Sequence, residues 1–259
     1  MKSNEYISIG MYSLNHELES AWESLFLLAT EMNPTLNLPR KFLNSVDDAI
    51  ITSTDNRLSH ICGYPLVERF AGKFQPLCAP YFDIDGYKGA EYFSHFLVRQ
   101  DQDSGINSIP DSKGFIAAIN SLDSNSGMSV LRHEVEKVRG LGAIENFFKS
   151  LHISGSHANS IRSIVDGDAD IASVDASTYY YLKKIKPELE DQLKIVGRSI
   201  KTPSPPLVTH TSNPLCAPSE LADALNGSLL ALTDELKELL NIKKFLVVNY
   251  SDYEYMIDL

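Results

Sequence analysis

Hydrophobic and polar positions along the chain fall into two rhythms. Residues 6–12 alternate and predict a strand. Leu18, Trp22, Leu25, Phe26 and Ala29 then recur at helical spacing and predict an amphipathic helix over 16–32. Ser13 or Asn15 offers its cap, and Asn33-Pro34 stops it. Shorter segments follow: a helix at 47–53, a strand at 58–62, and a short helix after Gly63-Tyr64-Pro65 that ends at Gly72. Strands at 74–82 and 92–99 flank a polar loop at 83–89. From 114 onward strands (114–120, 150–154, 170–174, 193–199) alternate with helices (126–139, 157–166, 177–191). Such alternation predicts a parallel sheet covered on both faces. A strand at 207–211, a long helix at 219–240 and a strand at 245–249 precede an acidic, tyrosine-rich tail.

Two polar stretches interrupt this pattern. Residues 101–111 are rich in Asp, Ser, Gly, Asn and Pro, and residues 202–206 read Thr-Pro-Ser-Pro-Pro. They bracket one α/β unit of about a hundred residues. The expected organisation is α/β with two lobes: a discontinuous lobe 1 over 1–104 and 204–259, and an inserted lobe 2 over 105–203. Ligands in such folds sit in a cleft, at the C-terminal ends of strands and the N-termini of helices.

Composition narrows the function classes. The 259 residues carry 23 Lys and Arg against 34 Asp and Glu, a formal net charge of -11. That balance excludes a general nucleic-acid binder, which needs a basic face to displace counterions, and disfavours an anionic membrane surface. It leaves room for a small anion, because one site needs only local donors. Cys62, Cys78 and Cys216 form neither a disulfide framework nor a C-x-x-C pair. No His/Cys/Asp/Glu cluster has metal-ligand spacing, and no G-x-G-x-x-G or Walker loop occurs, so neither a metal nor a cofactor is expected. The N-terminal segment lacks the apolar core of a secretory signal, and no apolar run approaches the ~18 residues that span a bilayer. As written, the chain is expected to be a cytoplasmic monomer without membrane insertion, or periplasmic if a leader has been removed.

Three strand-to-helix turns carry the polar chemistry. In the first, Ser124, Asn125 and Ser126 supply hydroxyl and amide groups, and Gly127 allows close backbone approach. Backbone N–H groups at a helix start bind oxyanions; the same residues also serve as ordinary caps. The second, Ser154-Gly155-Ser156-His157, repeats the arrangement with an imidazole on the first helical turn. The third, residues 170–175, ends a buried strand on Asp175, which either faces a ligand or caps the next helix. Ser, His and Asp together raise the question of a hydrolase. The G-x-S-x-G elbow is absent and both serines stand in capping positions, so no catalytic residue is assigned.

The order of these turns resembles the phosphate/phosphite/phosphonate substrate-binding proteins of ABC transporters. The matching features are Ile119-Asn120 with Asp123-Ser-Asn-Ser-Gly127, Ser154-Gly-Ser-His157, Gly167-Asp-Ala-Asp-Ile-Ala-Ser-Val-Asp175, Met11-Tyr12, Cys62-Gly-Tyr-Pro65 and the Pro-rich crossing. The resemblance implies the periplasmic binding protein type 2 fold, closing on its ligand by a hinge about the two crossings. It implies that Ser124, Ser126, Gly127, Ser156 and His157 hold a small oxyanion, with Asn125 where the family often has Thr. Tyr12 and Tyr64 would line the lobe 1 side, and Asp175 would meet a protonated oxygen or an amino group. A permease is the implied partner. An enzyme on the same fold, similar to those of the menaquinone pathway, and a cytoplasmic ligand sensor are the other expectations, since fold alone does not decide among them.

Overall fold

A computed structural model describes all residues except 1–3 and 102–104. The expected lobe boundary at 104 and the first three residues of the segment read for a leader lie outside the described residues. The chain divides into unit 1 (Met1–Glu91 and Pro203–Ile257) and unit 2 (Tyr92–Thr202 and Asp258–Leu259).

Unit 1 contains β1 (Tyr6–Ser8), α1 (His16–Met32), β2 (Phe42–Leu43), α2 (Asp48–Ile51), β3 (Asn56–His60), α3 (Gly63–Val67) and β4 (Phe74–Phe82). The connecting strand β5 (Glu91–Tyr92) leads into unit 2. There the chain forms β6 (Ser94–Arg99), β7 (Ile116–Ile119), α4 (Val130–Arg139), α5 (Ile144–Phe147), β8 (Ser150–Ile153), α6 (His157–Asp166), β9 (Ile171–Asp175), α7 (Ala176–Ile185), α8 (Leu189–Gln192) and β10 (Leu193–Arg198). The connecting strand β11 (Thr202–Pro203) leads back to β12 (Leu207–His210), α9 (Pro218–Ala231), α10 (Asp234–Leu240) and β13 (Ile242–Val247).

The unit 1 sheet has the order β13-β4-β12-β3-β1-β2. Its core is aromatic: Trp22 of α1 lies 5.5 Å from His60 and 6.3 Å from Phe245 between ring centroids. Asn15 caps α1 by accepting from the Leu18 N–H at 2.9 Å. The tyrosine-rich tail is part of this core rather than an appendage. Tyr253 and Met256 are buried, and the Tyr253 hydroxyl donates to the Ser204 carbonyl at 2.8 Å. A Cβ on Gly63 would meet Met256 Sδ and Tyr253 Cδ1, each at 2.8 Å, so the glycine of the Cys62-Gly-Tyr-Pro65 motif admits the tail.

The unit 2 sheet has the order β10-β6-β9-β7-β8. β7 runs parallel to β8 and β9, whereas β6 is antiparallel to both β9 and β10. The sheet is therefore mixed, not parallel as expected. The alternating strands β7, β8, β9 and β10 do run in one direction; β6, which precedes them in the chain, is inserted between β10 and β9 and runs against both. This pairing also moves the first boundary. Residues 92–99, expected in lobe 1, belong to unit 2 because β6 is a central strand of its sheet. Asp258 and Leu259 belong to unit 2 as well, with Arg132 Nε donating to the Leu259 carbonyl at 3.0 Å. Phe96, Ile119, Leu131, Val135, Phe147 and Ile171 form the apolar core beneath the sheet.

Two expected helices are broken. The one at 177–191 divides at Lys186-Pro187, where proline cannot extend α7. The one at 219–240 divides at Leu232-Thr233, where Thr233 caps α10.

Candidate functional site

The three polar turns of unit 2 stand at the C-terminal ends of the adjacent parallel strands β7, β8 and β9. After β7 the chain enters a π-helical turn, Asn125–Ser129, that runs on into α4. Wide turns of this kind recur at functional sites. Ser124 caps it, its Oγ accepting from the Gly127 N–H at 3.0 Å, while its carbonyl accepts from the Met128 and Ser129 N–H groups at 2.9 and 3.1 Å. A Cβ on Gly127 would collide with Asn120 Oδ1, so any larger residue there requires the Asn120 side chain to turn away.

Hydroxyl groups from neighbouring strands fix the orientation of this turn. The Ser126 carbonyl accepts from Ser94 Oγ of β6 at 2.8 Å and from Ser173 Oγ of β9 at 2.6 Å. With its carbonyl held inward, Ser126 presents its hydroxyl to His157, whose Nε2 lies 2.8 Å away. Ser124 Oγ is 3.4 Å from Ser126 Oγ. His157 opens α6, and Ser156 caps that helix by accepting from the Asn159 N–H at 3.1 Å. The single Ser154 hydroxyl proton has the Ile119 and Ser156 carbonyls within reach at 3.1 and 2.9 Å, so this side chain bridges the second turn to the first.

Burial holds the His157 pKa below its ordinary value, against the opposing influence of the Asp175 charge and the Ser173 backbone. The ring is thus neutral at pH 7, one nitrogen a donor and the other an acceptor. Asp175 is buried and caps α7: Oδ1 accepts from the Ser177 N–H at 2.9 Å, and Oδ2 from the Thr178 N–H at 3.3 Å and Thr178 Oγ1 at 2.9 Å. Its carboxylate acts on His157 through charge.

Seven of the nine expected residues therefore lie in unit 2, and Ser124, Ser126 and His157 are joined directly. Asn125 is the exception among the seven. It is 0% exposed, and its Nδ2 donates to the Tyr92 hydroxyl at 2.9 Å and to Thr202 Oγ1 at 2.8 Å. In unit 1, Tyr12 is 1% exposed, its ring edge-on to His60 and Phe82 with centroids at 5.3 and 5.0 Å. It is a core residue there. Tyr64 is half-buried on the first turn of α3. The sequence reading missed Ser94, Ser173, Tyr92 and Thr202. Ser173 and Thr202 lie inside segments that match the family, but Ser94 and Tyr92 are 32 and 33 residues from their partners and no local pattern marks them. Among the described residues, no group of three or more His, Cys, Asp and Glu side chains is placed to hold a metal ion. No helix among them is long and apolar enough to cross a membrane.

The fold is shared with solved structures of low sequence identity. A binding protein component of an ABC phosphonate transporter from Pseudomonas aeruginosa superposes with a TM-score of 0.73 at 19% identity, covering 98% of this chain and 84% of that one. PhnD1 from Prochlorococcus marinus, solved in complex with methylphosphonate, gives 0.72 at 18% identity, covering 98% and 96%. XAC2383 from Xanthomonas citri, solved bound to ATP, gives 0.67 at 15% identity, covering 98% and 96%. These neighbours give the chain the two-lobed type 2 periplasmic binding protein fold. No curated protein sequence matches the chain. The profile of the periplasmic substrate-binding proteins of phosphonate ABC transporters matches residues 58–253, most of the chain, which therefore belongs to that family.

Proposed function

We propose that this protein captures a small tetrahedral oxyanion, a phosphonate, phosphite or phosphate, at the unit 2 turns, as the binding component of an uptake system that delivers it to a permease in the periplasm. The observation that carries this reading is the Ser126–His157 pair at 2.8 Å, with the Ser126 carbonyl locked by Ser94 and Ser173. When His157 Nε2 donates to Ser126 Oγ, the serine hydroxyl proton is directed to the anion. The Ser124 and Ser156 hydroxyls and the backbone around Gly127 supply further donors. All these groups are neutral, which favours a compact anion whose charge is spread over several short bonds.

Asp175 contributes as a charge rather than as a contact. Its oxygens already accept from the start of α7, and its negative charge disfavours a fully ionised ligand over one that retains a proton. The fold does not set the ligand. A thermal-shift panel of phosphate, phosphite, methylphosphonate, 2-aminoethylphosphonate, sulfate and small carboxylates tests the reading. A ligand that binds only the folded state raises the midpoint by mass action. Phosphonate, phosphite or phosphate is expected to raise it, and sulfate to do so less. No response to any tetrahedral anion would overturn the proposal.

A further inference from the structure

Asn125 stands between two serines that face the anion site, yet it is fully buried and its side chain points elsewhere. Both protons of its amide nitrogen are used, one by Tyr92 and one by Thr202. These two residues are where the chain enters unit 2 from β5 and where it leaves through β11. They are 110 positions apart in sequence, and Asn125 holds both through one atom. Its Oδ1 has no partner among the described residues. An unpaired buried acceptor is costly. The amide is therefore retained at a cost, and what it supplies is the double donation from Nδ2.

Resting on the reading of the Ser124 and Ser126 turn as an oxyanion site, we propose that Asn125 is a positioning residue that couples the anion-holding turn to the two segments connecting unit 2 to the rest of the chain. The coupling is mechanical. The turn is held on one side by Ser94 and Ser173 through the Ser126 carbonyl. On the other side Asn125 is its link to Tyr92 and Thr202, with the side chain fixed by two bonds and no slack. When an anion draws the Ser126 hydroxyl and the neighbouring backbone toward itself, the shift passes through the Asn125 amide to both connecting segments at once. The neutral character of the link means that it survives salt, unlike an exposed ion pair.

Amide hydrogen exchange tests this with and without ligand, using Asn125→Leu, which keeps the volume and removes both bonds, and the gentler Tyr92→Phe and Thr202→Val. Without ligand, Asn125→Leu is expected to speed exchange at Tyr92, Phe93 and Thr202 about tenfold, from the loss of two hydrogen bonds. Each single-partner variant should give part of that effect and add nothing when combined with Asn125→Leu. In the unsubstituted protein, saturating methylphosphonate or phosphate should slow exchange at these amides; in Asn125→Leu, at full occupancy, it should not. Unchanged exchange in the ligand-free variants, or ligand protection that persists without Asn125, would overturn the coupling. Absence of any anion binding by the unsubstituted protein would instead overturn the oxyanion reading, while the ligand-free arm still decides whether Asn125 holds the segments.

Discussion

Unit 1 and unit 2 have similar architecture but divide charge and polarity unequally. Unit 1 carries 10 Lys and Arg against 19 Asp and Glu, a formal -9, and unit 2 carries 13 against 15, a formal -2. The acidity of the chain is thus largely a property of one unit, and the unit with the candidate anion site is nearly neutral. Their interiors differ in the same sense. The unit 1 centre is aromatic, built on Tyr12, Trp22, Phe26, Phe82 and Phe245. In unit 2 an apolar core lies under a layer of buried hydroxyls, Ser94, Ser124, Ser126, Ser173 and Thr202, at one end of the sheet. One interior is specified by ring packing and the other by directional bonds. A substitution should therefore cost stability in the first and ligand affinity in the second.

The largest effect should come from unit 1. Trp22→Ala removes a fully buried indole that packs on His60, Phe26 and Phe245. It should cost about 3–5 kcal/mol in urea unfolding. A cost below about 1 kcal/mol would show that ring packing is not what holds this unit.

Acid should next strain both units, through one buried histidine in each. His60 donates to the Pro205 carbonyl at 3.0 Å, but burial still lowers its pKa to about 4. His95 is lowered to about 4 by burial and by the nearby Arg198 and Lys183 charges. Both values lie below the ordinary 6.5, so on acidification the unfolded chain takes up these protons first. The stability from keeping both rings neutral is complete above pH 6.5 and is lost as pH falls toward about 4. Each ring contributes roughly 3 kcal/mol to that loss. Unfolding curves across this window should show the decline, and His60→Gln and His95→Gln should each flatten it by about half. A pH-independent midpoint in the parent protein would rule the account out.

How far these contrasts were legible in the sequence depends on range. α1, β4 and α6 follow from local periodicity and stand where the pattern predicts, His16–Met32, Phe74–Phe82 and His157–Asp166. Capping chemistry is also local, and Asn15, Ser156 and Asp175 cap as their neighbours suggest, whereas in the first turn the cap is Ser124, two residues before the Ser126 expected to start the helix. The antiparallel entry of β6 was not legible, because strand direction depends on pairing with β9 some 80 residues away. The burial of Tyr12 and Asn125 was hidden for the same reason. A motif marks which residues lie at a turn, but their neighbours from other strands decide which way each side chain points. The burial of the tail was hidden in the same way, because Tyr253 and Met256 meet Gly63, and Tyr253 meets Ser204, far from them in sequence.

The smallest effect separates cap from contact at Asp175. Asp175→Ala should cost about 1 kcal/mol, the usual loss of an N-cap. It should also narrow the preference for phosphate over sulfate in calorimetry, since the charge that disfavours a fully ionised anion is gone. An unchanged sulfate affinity would confine Asp175 to capping.

The central claim is that unit 2 binds its anion through oriented neutral donors with Ser126 at their centre. Titration calorimetry of the parent protein and Ser126→Ala with methylphosphonate, phosphite and phosphate tests it most directly. The account predicts one-to-one binding of at least one of these anions by the parent protein. For that anion Ser126→Ala should weaken affinity about ten- to a hundredfold, the value of one hydrogen bond to a charged group. The unfolding midpoint should barely move. Equal affinity in both proteins, with the midpoint unchanged, would contradict it.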